Sequence, residues 1–140
     1  MPRPSVVLDT NILVSGYLRT DGLERFVLDM ALSRRLQFFY SASIIEEYEA
    51  VLSRPKFYIA PAKLAEVLAL LRSAGRRVIP KRKLQVSIDP DDDIFLECAE
   101  AAQAQYLVTG NKKHFPDAWG VTRIVNTREF LNEVLDELKR

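Results

Sequence analysis

The stretch Val6-Val7-Leu8-Asp9-Thr10-Asn11 constrains the fold more than any other part of the chain. It is a β-branched apolar run that stops at a carboxylate, a hydroxyl and an amide before Ile12-Leu13-Val14 resumes. Such a run predicts a buried strand that turns directly into a helix. In open parallel sheets ligands bind beyond the carboxyl ends of the strands, so Asp9 is expected where chemistry is done. The question is which other acids meet it there.

The rest of the chain alternates strand and helix units, which implies a parallel sheet covered on both faces. Residues 12–18 and 23–32 read as helices separated by Thr20-Asp21-Gly22, and Leu36-Gln37-Phe38-Phe39-Tyr40 reads as an aromatic-rich strand. Ser43-Ile44-Ile45-Glu46 fits a capping box at the start of another helix, which gives Glu46 a structural task. On that helix Ile44, Ile45, Tyr48, Val51 and Leu52 make the buried stripe. Glu46 points away from it, and Glu47 and Glu49 lie on its flanks. Glu47, in the first turn and near the end of the preceding strand, is the better placed of the two to reach a shared site. Arg54-Pro55 ends the helix. Residues 61–74 form the next one, with Gly75 as its stop, and residues 76–88 read as extended or loop-like without a fixed order.

Asp89-Pro90-Asp91-Asp92-Asp93 is the densest acidic stretch. Asp89 is the expected N-cap and Pro90 the first helical residue, and acids in that first turn suit the helix dipole. Capping accounts for one or two of these carboxylates but not for four. Against the stripe Phe95, Cys98, Ala99 and Ala102, both Asp91 and Asp92 are flanking and Asp93 points outward. Tyr106-Leu107-Val108-Thr109 then repeats the opening pattern, an apolar run that exits into Gly110-Asn111-Lys112-Lys113-His114. A strand over residues 121–125 leads into a helix over 127–138, capped by Asn126 with Glu129 at its N3 position. Trp119 reads as a packing residue, and His114 as solvated or hydrogen-bonded.

At 140 residues the chain fits a single domain, residues 1–140. With 48% hydrophobic residues and no apolar run near the roughly 18 residues of a membrane span, a soluble protein without a membrane role is expected. No signal-peptide pattern precedes the first strand, which points to the cytoplasm. The lone Cys98 excludes an internal disulfide, cannot by itself make a zinc site, and reads as a core residue. The net charge of +1 conceals a division: nine basic residues and one acid lie between Arg54 and Lys83, a segment of +8, leaving −7 for the remainder. A basic stripe beside an acidic cluster suits phosphates in one place and a cation in another. Carboxylates gathered at one strand edge repel each other unless protons or a cation offset their charge. An oxygen-only set suits Mg²⁺ or Mn²⁺, which beside bound phosphates points to phosphodiester hydrolysis by activated water.

Val7-Leu8-Asp9-Thr10-Asn11, Asp92-x-x-Phe95-x-x-x-Ala99 and Leu107-Val108-Thr109-Gly110-Asn111 together resemble the PIN-domain nucleases. Glu46 to Phe57, Asp89 to Asp93 and Thr109 to Pro116 bring the likeness closest to the VapC-related toxins of toxin–antitoxin pairs, over about Val6 to Phe130. The resemblance implies a three-layer α/β/α sandwich with a five-stranded parallel sheet, and Mg²⁺- or Mn²⁺-dependent cleavage of RNA. It also implies a homodimer and a cognate antitoxin protein. Carried over by motif, the catalytic and metal-binding acids fall on Asp9, Glu47 and Asp92, with Thr10, Asn11, Thr109 and Asn111 as the supporting polar shell. The family often has a fourth acid just beyond the fourth strand, where this chain has Asn111. Asp117, six residues on, is a substitute, or Asn111 acts through a water. The expected RNA-binding residues are Arg54, Lys56, Arg76, Arg77, Lys112 and Lys113. Asn111 also motivates an alternative, a catalytically impaired PIN-like RNA-binding or adaptor protein. A phosphoaspartate reading is disfavoured because Thr10-Asn11 follows Asp9 in place of an Asp-x-Asp pattern.

Overall fold

The N-terminal apolar run forms a central strand, and its neighbours are strands from far along the chain. In the computed structural model, which describes residues 3–138, Val6, Val7 and Leu8 have no solvent exposure. This strand, β1 (Ser5–Leu8), lies parallel to β2 (Gln37–Tyr40) on one side and β4 (Tyr106–Val108) on the other. Beyond β2 lies the two-residue β3 (Arg76–Arg77), and beyond β4 lie β6 (Thr122–Val125) and β5 (Ala118–Trp119), giving the order β3-β2-β1-β4-β6-β5. The helices are α1 (Thr10–Leu18), α2 (Leu23–Leu32), α3 (Ala42–Leu52), α4 (Pro61–Ala74), α5 (Pro90–Ala102) and α6 (Thr127–Leu138). The α/β class is as expected, and α5 packs against β1, β2 and β4.

The sheet differs from five parallel strands in one respect. β5 runs antiparallel to β6, with Trp119 opposite Thr122, so the sheet is mixed and has six strands among the described residues. Gly120, at φ +59°, supplies the left-handed residue that a two-residue hairpin loop needs. A two-residue strand carries no periodicity, which is why nothing in the sequence marks Ala118-Trp119 as a strand.

Phe38, Tyr48, Phe95 and Phe130 are fully buried and anchor the core, each contributing roughly 1.5–3 kcal/mol by leaving water. The ring of Phe130 meets that of Tyr106 edge-on at 5.3 Å, joining α6 to β4. Cys98 lies in this core as expected, and burial pushes its thiol up to about 12, far from nucleophilic use.

Two local assignments are corrected. The N-cap of α3 is Ser41, whose Oγ accepts from the Ile44 amide at 3.2 Å. Strand β2 ends at Tyr40, so the helix starts two residues before the Ser43–Glu46 box, and Glu46 is exposed with no capping task. Asp93 is 4% exposed rather than outward-facing. Its Oδ1 accepts from the amides of Val86 (3.3 Å) and Ser87 (2.8 Å), because residues 82–87 fold back along α5. That segment is further held by the Leu84 amide on Glu97 and by an Arg82–Glu100 ion pair. The other caps are as read: Asp89 accepts from the Asp91 amide, and Asn126 and Glu129 exchange side-chain and backbone hydrogen bonds.

Candidate functional site

Asp9 follows β1 at the carboxyl edge of the sheet and occupies the N-cap position of α1, yet its side chain makes no capping hydrogen bond. Its Oδ2 instead accepts from the Thr109 hydroxyl at 2.6 Å, across 100 residues of sequence. Thr109 leaves the adjacent strand β4, and its Oγ1 also accepts from the Asn111 amide at 3.0 Å. The repeated exit pattern of β1 and β4 thus becomes a contact, since neighbouring parallel strands discharge their exit residues side by side. Asp9 is 4% exposed, Thr10 4% and Thr109 fully buried.

Glu47 approaches from α3. Its Oε2 accepts from the Thr10 hydroxyl at 3.2 Å, while Glu46, which the helical wheel turned outward, and Glu49, further down the helix, remain exposed. Asp92 approaches from the first turn of α5, where it is half-buried between exposed Asp91 and buried Asp93. Its Oδ2 is buried without an aligned hydrogen-bond donor, and the Nδ1 of His114 lies 3.3 Å away, an ion pair when the imidazole is protonated.

The electrostatics tie these groups together. Burial pushes the Asp9 carboxyl above its ordinary range, against the Thr109 hydroxyl, the amides of Thr10 and Asn11, and His114. Glu47 is raised by burial and then by Asp91 and Asp9, with Thr10 and Arg54 opposing. Asp92 is raised by burial, Asp9 and Asp89, with His114 opposing. Burial thus makes all three carboxylates harder to ionise, and the charge of Asp9 adds to the effect at Glu47 and Asp92.

Among the described residues no three acidic, His or Cys side chains already stand in a ligating array. The donor chemistry nevertheless fits a hard divalent cation: three carboxylates and neighbouring hydroxyls, all oxygen, with Asp92 Oδ2 lacking an aligned hydrogen-bond donor.

Tyr48 is the residue whose role sequence reasoning missed. Its hydroxyl donates to the Leu8 carbonyl at 2.5 Å, and its ring lies 6.5 Å from that of Phe95. One buried side chain on α3 thereby grips the strand end before Asp9 and the helix that carries Asp92. Burial raises the phenol well above its ordinary value, so it stays a donor. Nothing in the sequence distinguishes it from the other apolar members of its stripe. His114 is exposed, in keeping with its reading as solvated or hydrogen-bonded, but its place beside Asp92 was not foreseen, since only folding brings the turn after β4 to the start of α5.

The other expected site residues are dispersed. Asn11 and Asn111 are exposed at the rim. Asp117 is exposed, and its carbonyl accepts from the Ile124 amide beside β5; no described contact joins it to the acids. Lys112 is paired with Glu129 at 2.9 Å, whereas Lys113 is exposed beside His114 in a cavity of about 420 Å³ also lined by Gly110, Asn111 and Asn126. Arg54 is exposed and close enough to Glu47 to stabilise its charge. Lys56 lies 5.1 Å over the Phe57 ring. Arg76 and Arg77 part company, as successive strand residues do: Arg77 lines a recess with Glu46 and Arg72, and Arg76 lines another at the far end of the sheet.

Known proteins resemble this chain in sequence or in fold. An uncharacterized protein of Methanocaldococcus jannaschii is 26% identical over 110 residues, 76% of this chain and 70% of that protein. The structure of VapBC2 from Rickettsia felis, bound to a DNA fragment from its promoter, superposes with a TM-score of 0.57 at 18% identity, covering 87% of this chain and 98% of that one. The PIN domain of T. brucei RRP44 superposes with a TM-score of 0.53 at 14% identity, covering 98% of this chain and 84% of that one. A PIN domain family model matches residues 5–113, which include β1 with Asp9, α3 with Glu47, α5 with Asp92 and β4 with Thr109. The chain belongs to the PIN domain family.

Proposed function

We propose that this protein is a Mg²⁺- or Mn²⁺-dependent ribonuclease, the toxin of a toxin–antitoxin pair, and that Asp9, Glu47 and Asp92 hold the cation. The observation that carries the reading is the gathering of those acids at one sheet edge, where Thr109 and Thr10 hold Asp9 and Glu47, burial raises each acid above its ordinary range, and Asp9 further raises both others. Such a cluster is costly in a folded protein unless positive charge relieves it. The VapBC2 likeness supports a cognate antitoxin as partner, and a homodimer is part of the same reading.

A cation bound there supplies Lewis acidity, lowering the pKa of a water and offsetting charge on the scissile phosphate. The chain's own residues do the positioning. Thr109 and Thr10 each donate a hydroxyl hydrogen bond to an acid, fixing which oxygens remain free to ligate. His114 stands beside Asp92 and opens onto the cavity containing Lys113, where a phosphate of the RNA would be met by positive charge.

The deciding experiment incubates unpaired RNA with the protein in Mg²⁺ or Mn²⁺ and in EDTA. Cleavage that needs the cation and is lost in Glu47→Gln supports the reading. RNA binding without cleavage transfers it to the adaptor alternative that Asn111 motivates. Cleavage that persists in EDTA removes the metal from the mechanism. Binding also has an electrostatic signature: replacing Lys113 or Arg54 by Gln should lower the slope of log affinity against log salt by about 1 each. An unchanged slope would take those two side chains off the RNA path.

A further inference from the structure

Three arginines converge at the end of the sheet opposite the acids. Arg3 precedes β1, Arg34 lies in the turn between α2 and β2, and Arg76 opens β3. With Gln37, Ser73 and Gly75 they line a cavity of about 280 Å³. All sit at the amino ends of the parallel strands, whereas Asp9 and Thr109 follow the carboxyl ends, so the sheet separates the two places.

The charge gathered here is uncompensated. No carboxylate lines the cavity, and among the described residues none forms an ion pair with any of the three arginines. Two of the three guanidinium groups are nevertheless held in place. Arg3 Nη1 donates to the Arg34 carbonyl and Arg34 Nη2 to the Ser73 carbonyl, each at 3.0 Å, so each uses one of five donors and keeps the rest. Arg34 has φ 63° just beyond the end of α2, a left-handed position that glycine takes with less strain. It is exposed, so no apolar burial offsets that strain. Gly75 forms the close side of the cavity, since a Cβ there would stand 2.4 Å from Phe38 Cδ2. The backbone leading to Arg76 is thereby pressed onto β2.

Like charges brought together repel, and an anion with several oxygens removes that repulsion while satisfying the remaining donors. Planar guanidinium forks suit a tetrahedral oxyanion better than a point-like halide. We propose that this cavity is a phosphate-binding site, occupied by free phosphate or by a phosphate of a nucleic acid. It is independent of the acid site and of the ribonuclease reading.

The test keeps EDTA present throughout, so that a failed nuclease assay leaves it untouched. Inorganic phosphate is titrated into the protein, with binding read by calorimetry and by thermal shift, and sodium chloride at matched ionic strength is the control. The expected result is a saturable phosphate-specific stabilisation whose dissociation constant rises about tenfold or more in Arg76→Gln, the loss of one charge-assisted contact. Arg76 is exposed and makes no described side-chain hydrogen bond, so its variant keeps the fold, which circular dichroism verifies. Arg3→Gln is a second variant with the same expected loss. Equal binding by wild type and both variants, or a shift reproduced by sodium chloride, overturns the proposal. A short RNA oligonucleotide identifies the source. Displacement of the oligonucleotide by phosphate, absent in Arg76→Gln, assigns the site to nucleic acid, and phosphate binding that leaves the oligonucleotide in place assigns it to the free anion.

Discussion

Asp9→Asn is expected to remove metal-dependent RNA cleavage, by about 10³-fold or more as for a member of a catalytic unit, while making the metal-free protein more stable. The two effects have one cause. Asp9 is buried, and its folded-state carboxyl is raised above the ordinary range. The folded chain therefore binds its proton more tightly than the unfolded chain, and stability falls as pH rises from the unfolded value near 3.9 through the folded one. The deficit remains at neutral pH. Asparagine carries no charge to desolvate, and its carbonyl still accepts from Thr109. In EDTA at pH 7 the variant should melt higher than the parent, with each ~1 kcal/mol relieved appearing as about 3–4 °C for a chain of this size. Well below pH 3.9 the difference should vanish. Mn²⁺ should raise the melting temperature of the parent and leave the variant unmoved. A variant that melts lower at pH 7 in EDTA contradicts the electrostatic account, and one that still cleaves takes Asp9 out of the chemistry.

The second large effect concerns Tyr48, which touches no substrate. Tyr48→Ala should lower the free energy of unfolding by about 3–5 kcal/mol, the range for deleting a fully buried aromatic ring, measured by urea titration. Most of that is packing lost against Phe95 and the surrounding core. Tyr48→Phe isolates the hydroxyl. It should cost only about 1 kcal/mol of stability, but it releases the Leu8 carbonyl beside Asp9 and so loosens α3 against β1. The expected signature is weaker Mn²⁺ binding, by roughly 10-fold as for a supporting residue, with a melting temperature lowered by only about 3–4 °C. Wild-type metal affinity in Tyr48→Phe would reduce Tyr48 to a core residue.

Much of the candidate site was legible because its parts are local. An apolar run ending in Asp-Thr-Asn places Asp9 and Thr10 at a strand exit whatever the distant chain does. The helical wheel set Glu46 apart from Glu47 and Glu49, the first-turn position favoured Glu47 over Glu49, and of the three only Glu47 is partly buried. The same wheel failed at Asp93 because it assumes solvent on the outer face, and a folded-back loop occupies that place instead. The capping box at Ser43 failed for a related reason. Either of two serines near a strand end can cap the helix, although only Ser43 has a glutamate three residues on, and the point at which β2 stops decides between them.

The basic segment shows how linear charge counts mislead. Its +8 suggested one phosphate path, yet strand alternation directs Arg76 and Arg77 to different recesses, and Arg82 is neutralised by Glu100.

By itself, then, the sequence determined the α/β class, four of the six described strands in outline, the acids worth considering, and the caps at Asp89 and Asn126. These follow from apolar periodicity and from hydrogen bonds spanning a few residues, whose geometry the backbone dictates. Only the tertiary structure decided that Thr109 reaches Asp9, that His114 stands beside Asp92, that Tyr48 joins the three carriers of the acids, and that three arginines meet at the opposite end. Those contacts join groups 22 to 100 residues apart, and they form because packing the sheet brings its strand ends together, which no local preference encodes.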